Sequence, residues 1–483
     1  MSGARTSSKT LQAEKKRLKA EVARLQQEND VLRQEVVRLT ETVSALEKKV
    51  ARLSRDSSTS SKPPSSDIVR PPPGKKGRKK KRKRGGQPGH PKHDRTPFSQ
   101  EEVTDFHEHY LEDCPDCGHE LESSKEAPRV IQQIEVIDVP VRIDEHRGYA
   151  SWCPCCQKLH YAPIPHEIRK AGLAGPRLTA LVAYLKGVCH ASFSTIRKFM
   201  RDVVGVRLSR GYLRKLVNKA SESLEGAYQA ILELLPAESR LNVDETGHKE
   251  NGDQFWTWCF RAECYTAFKV DKSRGSQVLL EVLGEEFEGV LGCDYFSAYR
   301  KYMKDCGILV QFCLAHLIRD VKFLISLPGK VTSNYGQRLI TVLRKLFHLI
   351  HRRETMAEDK FQAKLEKVRD EIIKTAKRAP ERTEAQNMAE RFRKHGKAYF
   401  QFITTPGIEP TNNLAEQAIR FVVIDRRVTQ GTRGLSGRTW CERIWTVIAT
   451  CTQQGRSVFD FLHESIVAHF AGKPGPSLIP DTS

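Results

Sequence analysis

Three widely spaced acids are the residues best suited to chemistry. Asp244 closes the apolar run Arg240-Leu241-Asn242-Val243, and Asp294 closes Gly289-Val290-Leu291-Gly292-Cys293. Glu416 falls about one turn inside a helix opened by Pro410-Thr411-Asn412-Asn413. Both aspartates are expected at strand ends, with Gln254–Phe260 and Ala267–Val270 as neighbouring alternating strands. Two strand-end aspartates and a helical glutamate are what two-metal phosphoryl transfer needs. Hard carboxylate oxygens hold Mg²⁺ (or Mn²⁺), and two ions about 4 Å apart stabilise the attacking and leaving oxygens. Taken singly, each acid is more often a cap or a surface charge. Glu285, Glu286 and Glu288 lie between Gly284 and Gly289 and read as loop, with no strand to aim them. No Gly-x-x-x-x-Gly-Lys-Ser/Thr run occurs, so an ATP-driven motor is not expected.

A second ligand set is sulfur. Cys114-Pro115-Asp116-Cys117 and Cys153-Pro154-Cys155-Cys156 are paired knuckles around an expected β stretch, Arg129–Val141. Cys114, Cys117, Cys153 and Cys156 would place four thiolates tetrahedrally, the geometry of structural Zn²⁺. Cys155 is spare, and His119 or His160 could replace a ligand; a redox pair or buried thiols remain alternatives. Four protein ligands leave no open position for a substrate, so no catalysis is assigned to the zinc. Thirteen cysteines, an odd number, favour free thiols or metal over disulfides.

The elements that must carry these groups begin with a zipper. Leu11, Leu18, Leu25, Leu32, Leu39, Leu46 and Leu53 recur every seventh residue, and Val22, Asn29, Val36, Val43 and Val50 take the position three residues earlier. Leu at d with Val at a favours two parallel strands, and an amide at a fixes register, so Leu18, Leu25, Asn29, Leu32, Leu39 and Leu46 are the expected dimer contacts. The alternative is an amphipathic helix lying on the chain's own core. The Ser/Pro stretch Ser57–Ser66 reads as linker.

Charge is concentrated next. The chain has 80 Lys+Arg against 59 Asp+Glu, a net +21, which points to a polyanionic partner. From Ile68 to His93 there are eleven Lys/Arg and no acid. Lys75, Lys76, Arg78, Lys79, Lys80, Lys81, Arg82, Lys83 and Arg84 form an arm suited to salt-sensitive, sequence-blind DNA contact, if not a localisation signal or a solvated tail. The N-terminal residues lack the apolar stretch of a secretory signal and no run approaches a membrane span, so a cytoplasmic, nucleoid-associated protein without membrane contact is expected.

Residues 176–235 read as helical. Ile196, Phe199, Met200 and Val203 share one face, with Ser194 or Thr195 as cap; Gly205 breaks the helix and Ser209 caps a second. Leu213, Leu216 and Val217 are expected inward and Arg210, Arg214, Lys215 and Lys219 outward, a helix-turn-helix-like pair. Leu339, Leu343, Leu346 and Ile350, then Phe361–Ile373, read as further amphipathic helices. Arg426-Arg427 and the Gly-rich Gly431–Gly437 suit approach to phosphate, or form a flexible loop.

The order of zipper, Ser60-Ser61-Lys62-Pro63-Pro64-Ser65-Ser66-Asp67, Gly85-Gly86-Gln87-Pro88-Gly89-His90, Cys-x-x-Cys pairs, Asp244-Glu245-Thr246 and Asn412-Asn413-Leu414-Ala415-Glu416 resembles the insertion-sequence-66 family of bacterial transposases, from about Leu11 to Phe470. The resemblance implies a ribonuclease-H-like core with an Asp-Asp-Glu triad at Asp244, Asp294 and Glu416. It also implies a His-x-x-Arg pair, His316 and Arg319, for phosphate or DNA contact, although the two are equally a helix-face pair. Family members more often carry Glu-Arg where this chain has Glu416-Gln417, and Arg420 would supply the missing charge. Small element-encoded accessory proteins are common in the family.

The expected molecule is multidomain α+β. It comprises a coiled coil (8–56), a Ser/Pro and basic linker (57–98), a zinc ribbon (99–168) and a helical DNA-binding region (169–235). A ribonuclease-H-like domain (236–475) follows, with a helical insertion at about 330–400. Its expected function is a homodimeric or higher-order DNA transposase that binds terminal inverted repeats and target DNA, and performs metal-dependent strand cleavage and strand transfer. The alternative is a zinc-containing DNA-binding regulator or an inactive remnant, which needs no carboxylate triad.

Overall fold

The computed structural model describes residues 3–53, 99–103, 116, 141–153, 155 and 158–480. The basic arm, the Ser/Pro linker, Cys114, Cys117 and Cys156 lie outside them, as does nearly all of the strand expected at Arg129–Val141. By compactness the chain divides into Met1–Gly74 with Arg147–Lys198 and Leu208–Ser483, and Lys75–His146 with Phe199–Arg207. In the smaller unit the described residues form little regular structure beyond a 3₁₀ turn at Gln100–Glu102 and the end of a helix.

In the larger unit α1 (Gly3–Leu53) is one unbroken helix of 51 residues. Leu18, Leu25, Leu32, Leu39 and Leu46 are each more than half exposed along it. A hairpin, β1 (Ala150–Cys153) and β2 (Lys158–Tyr161), pairs Cys153 with Lys158. Helices α2 (His166–Ala171), α3 (Pro176–Gly187), α4 (Phe193–Asp202), α5 (Arg210–Ser223) and α6 (Glu225–Leu234) follow. α4 is capped two or three residues earlier than the sequence suggests: Ser192 Oγ accepts the Thr195 N–H at 3.1 Å. Ser209 caps α5 as expected, accepting from Tyr212 at 3.1 Å. The link between α4 and α5 is seven residues, longer than the three- or four-residue turn of a helix-turn-helix.

The buried stripe of α5 is Leu213, Leu216 and Val217. Lys219 is not outward: its Nζ donates to the Lys170 and Ala171 carbonyls at 2.6 and 3.0 Å. A cation on the open carbonyls of the α2 C-terminus satisfies both charge and hydrogen bonding.

A five-stranded mixed sheet then forms from β3 (Arg240–Glu250), β4 (Asp253–Arg261), β5 (Thr266–Asp271), β6 (Val290–Cys293) and β7 (Leu309–Phe312). Its order is β5-β4-β3-β6-β7. β3, β4 and β5 pair antiparallel, whereas β6 and β7 run parallel to β3. Asn251 and Gly252, both at positive φ, make the β3–β4 turn, as a tight hairpin needs. The parallel strands require crossovers, supplied by α7 (Gln277–Leu283) before β6 and α8 (Ser297–Cys306) before β7. After β7 come α9 (Leu314–Ser326), α10 (Lys330–Ile350), α11 (Glu358–Lys377), α12 (Thr383–His395) and the short α13 (Gln401–Thr404). Leu339, Leu343 and Leu346 of α10 and Phe361, Leu365, Val368 and Ile372 of α11 form their buried stripes. The chain returns to the sheet through α14 (Asn413–Thr429), then α15 (Leu435–Gln454) and α16 (Val458–Phe470). Trp445 of α15 packs edge-on against Phe268 of β5 and His248 of β3, and Trp258 of β4 packs against Tyr299 of α8. The sheet is therefore covered on both faces.

Gly431–Gly437 is not a free loop. Thr432 exchanges backbone hydrogen bonds with Lys249 and Asn251 at 2.9 and 3.0 Å, which pins the segment to the β3–β4 hairpin. A Cβ at Gly431, where φ is +86°, would lie 2.3 Å from the Lys249 carbonyl oxygen.

Candidate active site

Asp244 is fifth of the eleven residues of β3, not at its end. The strand outruns its parallel neighbour: the last β3–β6 pair is Asn242 with Gly292, while pairing with β4 continues to Glu250. Asp244 thus stands just beyond the end of the parallel half of the sheet. That is where open α/β sheets place their ligands, at the carboxyl ends of strands. Asp294 follows β6 directly, and its Oδ1 accepts the Phe296 N–H at 2.8 Å, turning the chain into α8.

Glu416 lies in the first turn of α14, and Asn412 sets where that turn sits. Fully buried, Asn412 donates from Nδ2 to the Val243 carbonyl at 2.8 Å and accepts from Asn242 Nδ2 at 2.9 Å. Its N–H donates to Cys313 Sγ at 3.1 Å. The helix bearing the third acid is thereby tied to the strand bearing the first.

The three acids act on one another. Burial, then the charges of Glu245, Asp294 and Glu416, hold the Asp244 carboxyl well above the usual carboxylate range. Clustered carboxylates repel unless a proton or a cation intervenes. Glu416 Oε1 is moreover buried without a hydrogen-bond partner. A set of hard oxygens with an orphaned acceptor fits a divalent cation of the Mg²⁺ or Mn²⁺ class.

Sequence reasoning passed over Glu245. Strand alternation sends it to the face opposite Asp244, where Oε1 accepts from Arg274 Nε and Nη2 at 2.9 and 2.7 Å and Oε2 accepts from the Tyr299 hydroxyl. The Arg274 guanidinium lies 4.3 Å from the Trp256 ring centre and 3.9 Å from that of Phe296. Burial and Asp294 push the Glu245 carboxyl up to about 7. The adjacent acids Asp244-Glu245 were a visible signal; the arginine, from a loop, was not.

His316 and Arg319 lie on α9 beside Glu416. Arg319 Nη2 donates to Glu416 Oε2 at 3.2 Å and Nη1 to His316 Nε2 at 3.2 Å, while His316 Nδ1 is 3.5 Å from Glu416 Oε1. Donor atoms of Cys313, His316 and Glu416 lie within 4.8 Å of one another.

Arg420 and Arg427 are exposed on α14, whereas Arg426 is half-buried and donates to Thr246 Oγ1 at 3.1 Å. Arg210, Arg214 and Lys215 are exposed on α5, with Arg214 reaching Ser436 Oγ at 3.5 Å. Lys75–Arg84 and three of the four expected zinc ligands lie outside the described residues; Cys153 is placed by its backbone alone. Cys155 and eight other cysteines are free thiols. No helix among the described residues is long and apolar enough to cross a membrane.

Comparison with known proteins yields two family matches. Residues 171–439, over half the chain, match a model described as the transposase IS66 family. Residues 7–96 match a family of unknown function, DUF6444. An uncharacterized protein, y4qI, of Sinorhizobium fredii (strain NBRC 101917 / NGR234) is 23% identical over 352 residues, covering 66% of this chain and 64% of its own.

Proposed function

The chain belongs to the transposase IS66 family, and from that premise we propose that it cleaves the ends of a DNA element and joins them to target DNA by metal-dependent phosphoryl transfer. The observation carrying this reading is that Asp244, Asp294 and Glu416, separated by long stretches of sequence, share one electrostatic environment. The strand order, with three antiparallel strands continued by two parallel ones, supports a ribonuclease-H-like core into which α10–α13 are inserted.

Asp244, Asp294 and Glu416 would hold the divalent ions. Bound there, the ions would supply Lewis-acid stabilisation of the attacking and leaving oxygens. The chain's own part is positioning and electrostatics, with no covalent protein–DNA intermediate. Asn412 sets the distance between β3 and α14, and the exposed Arg420 and Arg427 offer cations to phosphate along the helix bearing Glu416. The basic arm would add general DNA affinity, and a structural zinc at Cys114, Cys117, Cys153 and Cys156 would order the ribbon. The exposed leucine stripe of α1 would pair with a second copy, bringing two element ends into one complex.

Asp244→Asn tests the core of the proposal. It removes a cation ligand while keeping shape, so Mg²⁺-dependent nicking of an element-end duplex is expected to vanish with end binding intact. Wild-type nicking by that variant overturns the assignment.

A further inference from the structure

Building on the proposed transposase reading, we infer that Cys313, His316 and Arg319 form a rail on α9 that positions Glu416. In this arrangement His316 and Arg319 are neither metal ligands nor the principal DNA contacts.

The three residues recur at intervals of three along α9 and its cap, so they share one helix face, and that face meets the first turn of α14. Cys313 Sγ accepts the Asn412 N–H at 3.1 Å, and the neighbouring Leu314 N–H donates to the Pro410 carbonyl at 2.9 Å. Arg319 takes one oxygen of Glu416 and His316 faces the other, at 3.2 and 3.5 Å.

The chemistry of the guanidinium settles the histidine. Arginine can only donate, so His316 Nε2, 3.2 Å from Arg319 Nη1, must accept. A neutral imidazole accepting at Nε2 carries its proton on Nδ1, and that N–H faces Glu416 Oε1. Arg319 thus holds one carboxylate oxygen by a hydrogen bond, while the other, faced by the ring at 3.5 Å without a hydrogen bond, stays open to a cation. A cation on Nδ1 would move the proton to Nε2, against the Arg319 N–H. The Cys313–His316–Glu416 cluster, although compact enough for a metal, is therefore closed to one by its neighbour. Partners that orient ligating side chains typically tune metal affinity by about 10–100-fold.

The test uses full-length protein, with Mn²⁺ as probe read by electron paramagnetic resonance and element-end DNA binding measured without metal. His316→Asn puts an amide donor near the place of Nδ1; His316→Gln, nearly isosteric with it, extends its amide toward Nε2. The rail predicts that His316→Asn keeps Mn²⁺ affinity near wild type, that His316→Gln and Arg319→Ala weaken it about 10-fold or more, and that all three bind DNA as wild type does. Three results overturn it. One is unchanged Mn²⁺ affinity in Arg319→Ala with weaker DNA binding and a salt slope reduced by about one, the mark of a lost phosphate contact. Another is equal loss of Mn²⁺ in both His316 variants, which would make the ring a ligand. The last is wild-type Mn²⁺ affinity in all three variants. Failure of the transposase reading looks different: wild-type protein would then bind Mn²⁺ without nicking DNA.

Discussion

At the residue scale the site is built from unfavourable charge. Asp244 is buried among like charges, an arrangement that costs stability until a cation arrives. Functional sites commonly trade stability for chemistry in this way. Asp244→Asn should therefore melt higher than wild type in metal-free buffer. Mn²⁺ should raise the wild-type melting temperature more than that of the variant; a variant that melts lower without metal would contradict the account. His248 gives a second handle. Buried between Thr432 and Trp445, its pKa is lowered to about 4 by burial, Arg426 and Arg438. The unfolded chain takes up a proton near the ordinary value of about 6.5, and the folded chain only near 4. The native state thus binds fewer protons between those values, and stability falls as pH drops through them. His248→Gln should lose less melting temperature than wild type between pH 7 and 5.

At the scale of elements, periodicity and capping residues announced most helices and strands. Leu339, Leu343 and Leu346 read as an amphipathic stripe and are one. The departures have local causes. Ser192 rather than Ser194 or Thr195 caps α4, because residues of equal capping aptitude sit side by side there. Lys219 turns inward because the carbonyl end of α2, remote in sequence, offered it partners. Asp244 is mid-strand because an apolar run ending in an acid shows where burial stops, not where hydrogen bonding stops. The joint between α14 and β3 was invisible, since Asn412 reads as a helix-start residue and works as a strand-to-helix tie. Asn412→Ala leaves the buried Val243 carbonyl without the Asn412 amide, at about 1–3 kcal/mol for an unsatisfied buried group, and frees the half-buried Asn242 amide. Urea denaturation should show that loss, and nicking should fall with DNA binding retained. A stability change below about 0.5 kcal/mol would remove the tie from the account.

At the scale of the molecule, α1 is a helix whose apolar stripe faces solvent in a single chain. Asn29 interrupts the Val positions of that stripe, and a buried polar residue at such a place fixes register at a cost in stability. Asn29→Val should raise the helix melting temperature and spread sedimentation over more than one oligomer; a pure, unchanged dimer counts against the proposed pairing. The candidate acids, the zipper repeat, the paired cysteines, the basic arm and the family are all legible in the chain alone. Each is carried by residue type and short-range spacing, which survive without a fold. Which distant residues meet emerges with folding: Glu245 pairs with Arg274 and Tyr299, Asn412 joins helix to strand, and His316 and Arg319 face Glu416. Those contacts depend on strand register and crossover packing, set by burial summed over the whole sheet, and no local pattern in the chain encodes them.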